Sequence, residues 1–337
     1  MSEEVSLLKY RDETSAIQYV GPYTDPPNTV DSVPHPSFSL DDTERSDRPI
    51  WVSTLSDATI IAGRYVVSKK GNIIVDVIEG RRRKQLISRI IEKEAPKTLF
   101  HTCLVDGVVA MVGSRWASGY FHWITDVLPR IRLIQECFDI ADDVDFYAFP
   151  EGVPSAGLEA IKELGIEESQ LLQVEPRERL KVDQLILPSL PGKTGRPPKW
   201  ALSFLRQRLL TQGRNSNREW PKRLYLARQG KRTVENREEV LPVLLQNGFH
   251  VVYPEQYSFA EQISLFSHAE AVVGPHGSGF TNTIFCSPKT KLLELFSARY
   301  VNPCYFHIAQ HLDPYNGDNM IPSPEKIKNW IRNLKPQ

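Results

Sequence analysis

Between residues 223 and 296 four short apolar runs, RLYLA (223–227), HVVYP (250–254), AVVGP (271–275) and LLELF (292–296), alternate with segments of helical length and composition. Runs this short, bounded by turn residues, suit strands buried on both faces of a sheet. Strand, helix and strand in repetition demand right-handed crossovers and a parallel sheet. The helices between them carry their own punctuation. NREEVLPVLLQNG opens on Asn236 as an N-cap and closes on Gly248, Ser258 and Glu261 have capping-box spacing, and GSGFTNTIFC supplies a third helix. This half therefore reads as Rossmann-like, and ligands of such sheets sit beyond the carboxyl ends of the strands.

A chain of 337 residues exceeds what one core usually serves. Upstream, ATIIAGRYVVS and NIIVDVIEG read as strands separated by a turn at Lys70-Gly71, followed by the strand GVVAMVGS and the helix-length segment GYFHWITDVLPRIRLIQECF. DFYAFP, SAGLEAIKELG and VDQLILPSL continue as strand, helix and strand. This alternation predicts a second α/β domain. The expected division is an irregular, proline-rich segment over 1–50, an α/β domain over 51–190, a linker over 191–200, a Rossmann-like domain over 201–321 and a C-terminal helix over 322–337 that returns to the first domain.

The 41 basic residues balance 41 acidic ones, so no global field draws the chain to nucleic acid. The amino terminus lacks an apolar stretch of signal-peptide length and no window is apolar enough to span a bilayer, so the chain reads as cytoplasmic, with peripheral membrane association left open. Cys103, Cys137, Cys286 and Cys304 are widely spaced in apolar surroundings, which predicts buried, reduced thiols and no zinc site.

The third run leads into GPHGSG, with three glycines and His276 in six residues. Gly277 and Gly279 can adopt positive φ and let another backbone or a ligand approach closely, with the following helix offering unpaired amides to a phosphate or diphosphate. A tight turn with a satisfied histidine is the alternative. The spacing matches neither a dinucleotide fingerprint nor a P-loop. A His-Gly loop also serves as an oxyanion hole, yet the chain contains no G-x-S-x-G elbow for an esterase-like hydrolase. Arg228, Lys231 and Arg232 crowd the same sheet edge, where guanidinium groups suit phosphate oxygens. Glu294 interrupts an apolar strand and needs either a basic partner or a ligand hydroxyl.

In the first half His122 and Asp126 stand four apart, off an apolar stripe of Phe121, Ile124, Leu128 and Ile131. Pro129 cannot donate to the Thr125 carbonyl, so the helix should kink or restart there. The pair is either a general base facing a cleft or a hydrogen-bonded pair on a helix face. Asp143 and Asp145 spell D-x-D, but they precede their strand and so lie away from the ligand edge. No metal is expected.

YFHWITDVLPRI in the first half, with LYLAR, RTVENREE, FAEQISLFSHAEAVVGPHGSGFTNTIF and LLELF in the second, together resemble glycosyltransferase family 61 in wording and order. The resemblance spans about Trp116 to Phe296. It implies an inverting GT-B enzyme, two Rossmann-like domains with parallel sheets facing a cleft, that moves a sugar from a UDP-sugar to a glycan hydroxyl without a bound metal or other cofactor. Synthesis of a surface polysaccharide from the inner face of the membrane is the implied setting. It further implies Asp126 as base, with His122 beside it and Asp126 slightly favoured. Donor contacts then fall to Arg228, Arg232, His276, Gly277, Ser278, Gly279, Asn282 and Glu294, the last gripping the ribose. A non-catalytic sugar-nucleotide or glycan-binding module is the competing class.

Overall fold

The computed structural model describes residues 4–5, 14–21, 50–71, 73–74, 77, 101–138, 143–211, 218–230, 233–234, 236–296, 300–311 and 327–329. The chain divides into two compact units, Met1–Thr24 with Ser46–Phe204, and a second whose main body is Leu205–Gln337. The proline- and glycine-rich stretch that reads as a linker holds a bridge between Lys193 and Arg196. Pro191, Gly192, Pro197 and Pro198 in it are buried. The units part just after it, between Phe204 and Leu205.

The first unit is built on a nine-stranded sheet. Its strands are β1 (Glu4–Val5), β2 (Thr14–Gly21), β3 (Ile50–Ile61), β4 (Tyr65–Val67), β5 (Ile73–Ile74), β6 (His101–Met111), β7 (Phe146–Pro150), β8 (Leu171–Val174) and β9 (Glu178–Pro188). They lie in the order β1-β5-β4-β3-β9-β6-β7-β8, with β2 paired to β3. The sequence predicts a parallel sheet, and the sheet is mixed. β9, β6, β7 and β8 pair in parallel, whereas β3 runs antiparallel to β2, β4 and β9.

The cause lies within ATIIAGRYVVS, which is two strands. Ala62 and Gly63 take φ of 52° and 62°, Arg64 N donates to Ile61 O at 3.1 Å, and a hairpin this tight can only join antiparallel neighbours. β2 likewise falls inside the segment 1–50 that reads as irregular, most of which lies outside the described residues. Helices α1 (Leu128–Gln135) and α2 (Ser155–Lys162) follow β6 and β7. A core of Trp51, Leu55, Ile60, Val109, Met111, Leu185 and Leu187 packs against one face of the sheet.

The second unit takes in the end of α3 (Lys199–Leu209) and carries a four-stranded, all-parallel sheet in the order β11-β10-β12-β13. These strands are β10 (Arg223–Leu226), β11 (His250–Val252), β12 (Ala271–Pro275) and β13 (Lys291–Leu295). They are the four apolar runs of the sequence, and the mixed α/β class holds for both units.

Helix α4 (Arg237–Gln246) ends as its glycine predicts. Gly248 takes φ 78°, its amide donates to Leu245 O at 3.1 Å, and Phe249 N donates to Leu244 O at 3.1 Å, the paired bonds of a Schellman ending. In α5 (Phe259–Ser267) both arms of the Ser258/Glu261 capping box are formed. GSGFTNTIFC differs from the helix expected of it. Ser278–Phe285 is a 3-10 helix with every residue from Phe280 onward buried.

The C-terminal stretch 322–337, expected to return to the first domain, is described only at 327–329. There Ile327 is buried in the second unit's core, so the expectation is corrected for that turn. The remaining helix, α6 (Cys304–Gln310), follows β13.

Candidate functional site

One candidate site follows β6, in the first unit. After Met111 the chain runs through Gly113 to Gly119 and enters a helix that is α-helical over Tyr120–His122, a π-helix over Trp123–Val127, and α-helical again from Leu128. Pro129 lies in the first turn of α1. Its missing amide leaves the ladder one bond short, and the wider π turn absorbs the defect, which is how such turns commonly arise at functional positions.

His122 Nδ1 lies 2.8 Å from Asp126 Oδ2. The other carboxylate oxygen, Oδ1, is 3.1 Å from Thr125 Oγ1, a hydroxyl that also donates to Phe121 O at 2.9 Å. Asp126 therefore has both oxygens engaged, and its side chain is 5% exposed against 26% for His122. With the carboxylate as acceptor, the hydrogen sits on Nδ1 and the lone pair on Nε2. Phe121 packs edge-on against the imidazole at 5.1 Å and Trp116, 44% exposed, stacks at 6.1 Å.

Beneath this turn lies Arg130, fully buried. Its Nη1 donates to Val112 O and Gly113 O at 3.0 and 2.6 Å, and its Nη2 to Pro188 O at 2.5 Å. One guanidinium thus ties the carboxyl ends of β6 and β9 to the helix that bears His122 and Asp126. An arginine in the apolar stretch LPRIRL was the sequence signal for this residue, which the pattern reading passes over.

Another candidate site lies in the second unit, at the carboxyl edge of the parallel sheet. β12 and β13 pair with Gly274 opposite Glu294, and two residues beyond Gly274 on the same face comes His276. Its Nδ1 makes a short contact with Glu294 Oε1, and the side chains are 6% and 3% exposed. Glu294 therefore meets its basic partner inside the protein. Of the two readings the sequence leaves open for Glu294, a basic partner or a ligand hydroxyl, the internal pair is the one formed, with His276 on Oε1 in place of a ribose. Burial pushes its carboxyl well above the ordinary carboxylate range.

Three rings close around the His276 imidazole: Phe296 stacked at 5.5 Å, Tyr300 edge-on at 5.4 Å and Tyr305 tilted at 5.1 Å. Arg228, after β10, donates from Nη1 to His276 O at 2.9 Å.

Gly277 is extended, at φ 179°, and Gly279 is not among the glycines with positive φ, so neither uses that freedom. Room is what selects Gly277, since a Cβ there would lie 1.8 Å from Arg228 Nη1. Gly277→Ala should push the guanidinium off His276 O and cost about 1.5–3 kcal/mol in urea unfolding, the worth of one charged hydrogen bond. An unchanged stability would show that the guanidinium finds another acceptor.

Past Gly277, Ser278 is exposed and Gly279 partly so. As the first residues of the 3-10 helix their amides lack acceptors within it. Asn282 is fully buried, with Nδ2 donating to Gln262 Oε1 at 2.7 Å, which pins this helix to α5. Arg232, with Lys231, lies outside the described residues.

The D-x-D pair has a local task. Asp145 Oδ2 accepts from Val108 N at 2.7 Å, where the β6·β9 register shifts between Val105 and Val108. Among the described residues no three His, Cys, Asp or Glu gather as a metal site. All four cysteines are free. Cys286 and Cys304 are buried, and burial pushes the Cys286 thiol up to about 12. Cys137 is half-buried, and Cys103, against expectation, is exposed. No helix of the described residues is long and apolar enough to cross a membrane.

Residues 120–293 match the family described as Glycosyltransferase 61. No curated protein matches the chain.

Proposed function

The chain belongs to glycosyltransferase family 61, and from that premise we propose that it is an inverting enzyme that moves a sugar from a UDP-sugar to a hydroxyl of a glycan acceptor. The observation that carries the chemistry is the His122–Asp126 pair, a partly exposed histidine whose Nδ1 is held at 2.8 Å by a buried carboxylate. Inversion needs a base to take the acceptor proton as the hydroxyl attacks the anomeric carbon. His122 Nε2 takes that proton, and Asp126 fixes the tautomer and steadies the imidazolium that forms. The slight preference for Asp126 as base is thereby reversed, because both of its oxygens are already engaged.

On the donor side the diphosphate gathers negative charge as it departs. Arg228, His276 and the amides of Ser278 and Gly279 form the set that meets it, preorganised donors being worth most where charge develops. Glu294 supports His276 from within, and Asn282 supports the helix that carries those amides. Both sets must act on one donor and acceptor, which a GT-B arrangement of the two units would provide. The proposed reaction proceeds without a metal, and its setting is surface polysaccharide synthesis at the inner face of a membrane.

Incubating the protein with a panel of UDP-sugars tests this reading. Slow release of UDP from one of them, even without acceptor, is the expected result, whereas tight UDP binding with no release from any would leave only the binding-module reading.

A further inference from the structure

Among the described residues two histidine–carboxylate pairs occur, in opposite surroundings. In the first, His122 is partly exposed and Asp126 takes a second hydrogen bond from a hydroxyl. In the second, the Glu294 and His276 side chains are 3% and 6% exposed, and rings from three residues surround the imidazole.

We propose that Glu294 and His276 hold one proton between them, so that Glu294 is a positioning residue which keeps a hydrogen on His276 Nε2 and makes this imidazole a donor to the departing diphosphate.

The electrical argument runs through the possible states. If the carboxyl keeps its proton it donates to Nδ1, and the neutral imidazole must then carry its hydrogen on Nε2. If the proton has crossed to Nδ1, an imidazolium faces a carboxylate, and Nε2 again carries hydrogen. Both states are neutral as a pair. Only loss of the shared proton leaves Nε2 bare, and that state places an uncompensated negative charge among Phe296, Tyr300 and Tyr305, where burial is costly.

Arg228 on His276 O favours ionisation of the carboxyl. Against it stands burial, which pushes Glu294 well up and also raises Tyr305 and Cys304, leaving both neutral. As negative charge collects on the departing diphosphate, the shared proton moves from Glu294 Oε1 toward Nδ1. The imidazole becomes positive while its Nε2 hydrogen bond strengthens, and no bond other than O–H and N–H changes within the pair.

The inference rests on the transferase reading for its ligand, so the test has one arm that needs no turnover. Nitrogen NMR of the full chain labelled in histidine, with His276→Asn identifying the signal, should show hydrogen on Nε2 of His276 from pH 6 to 8. A bare Nε2 with hydrogen on Nδ1 would overturn the proposal whether or not the protein transfers sugar.

The second arm is Glu294→Gln, whose amide can donate to Nδ1 and preserve packing and tautomer but cannot release a proton. It should leave KM within about twofold, lower kcat roughly 10- to 100-fold and abolish the fall of kcat at high pH. Wild-type kcat and pH profile in this variant would mean a merely structural pair and would also overturn it. Absence of turnover in the wild type, with Nε2 protonated, would instead defeat the transferase reading alone.

Discussion

His122→Ala should lower sugar transfer by about 10²- to 10⁴-fold, the usual weight of a general base, while UDP affinity stays within about a factor of two. The separation follows from where the residue sits. His122 lies on the turn after β6 in the first unit, whereas Arg228, His276 and Gly277 belong to the second. Asp126→Asn should come close to the same loss even though Asn fits the space. An amide that donates to Nδ1 forces the hydrogen onto Nε2, and the lone pair needed by the acceptor hydroxyl disappears. A decisive measurement is kcat for both variants beside calorimetric UDP binding. Near-normal turnover in His122→Ala would remove it as the base, and a normal His122→Ala with a dead Asp126→Asn would return that role to Asp126.

The second large effect is on stability. Arg130→Met should cost about 3–5 kcal/mol, because three carbonyl oxygens at a buried sheet end lose their charged donor at once. Those carbonyls belong to Val112, Gly113 and Pro188. Arg130→Lys keeps the charge but not the planar fork, and one ammonium cannot reach both strand ends in the same geometry, so most of the loss should remain. Urea unfolding followed by tryptophan fluorescence measures it, since Trp51 and Trp123 are buried in this unit. A Met variant within about 1 kcal/mol of wild type would show that the carbonyls find other partners.

The two halves of the fold were unequally legible. In the second unit the strands are short, apolar and separated by helical segments, so the parallel sheet follows, although Asn236 makes no side-chain cap bond to α4. Gly248 and the Ser258/Glu261 box landed where their chemistry puts them. In the first unit ATIIAGRYVVS reads as one apolar run because Ala62 and Gly63 are too small to interrupt the pattern. Only the positive φ at both exposes the hairpin that makes the sheet mixed.

The site shows the same division. His122 and Asp126 were visible because i,i+4 spacing is a property of sequence, and Pro129 announced the irregular turn between them. Glu294 announced that it needed a partner, yet which partner was a question of strand register. The Gly274↔Glu294 pairing brings His276 to it, and no local pattern encodes that. Gly277 was singled out for a backbone freedom it does not use; its smallness serves Arg228, a residue 49 positions earlier in the chain. Arg130 was passed over because an arginine in a helix ordinarily reads as solvated surface.

The most direct test of the central claim is proton NMR of the protein incubated with a panel of UDP-sugars, read before any released sugar mutarotates. An inverting transferase that uses His122 as base should deliver a water-derived sugar whose anomeric coupling is opposite to that of the donor, with UDP formed in equal amount. A sugar released with the donor's own anomeric configuration would contradict the account.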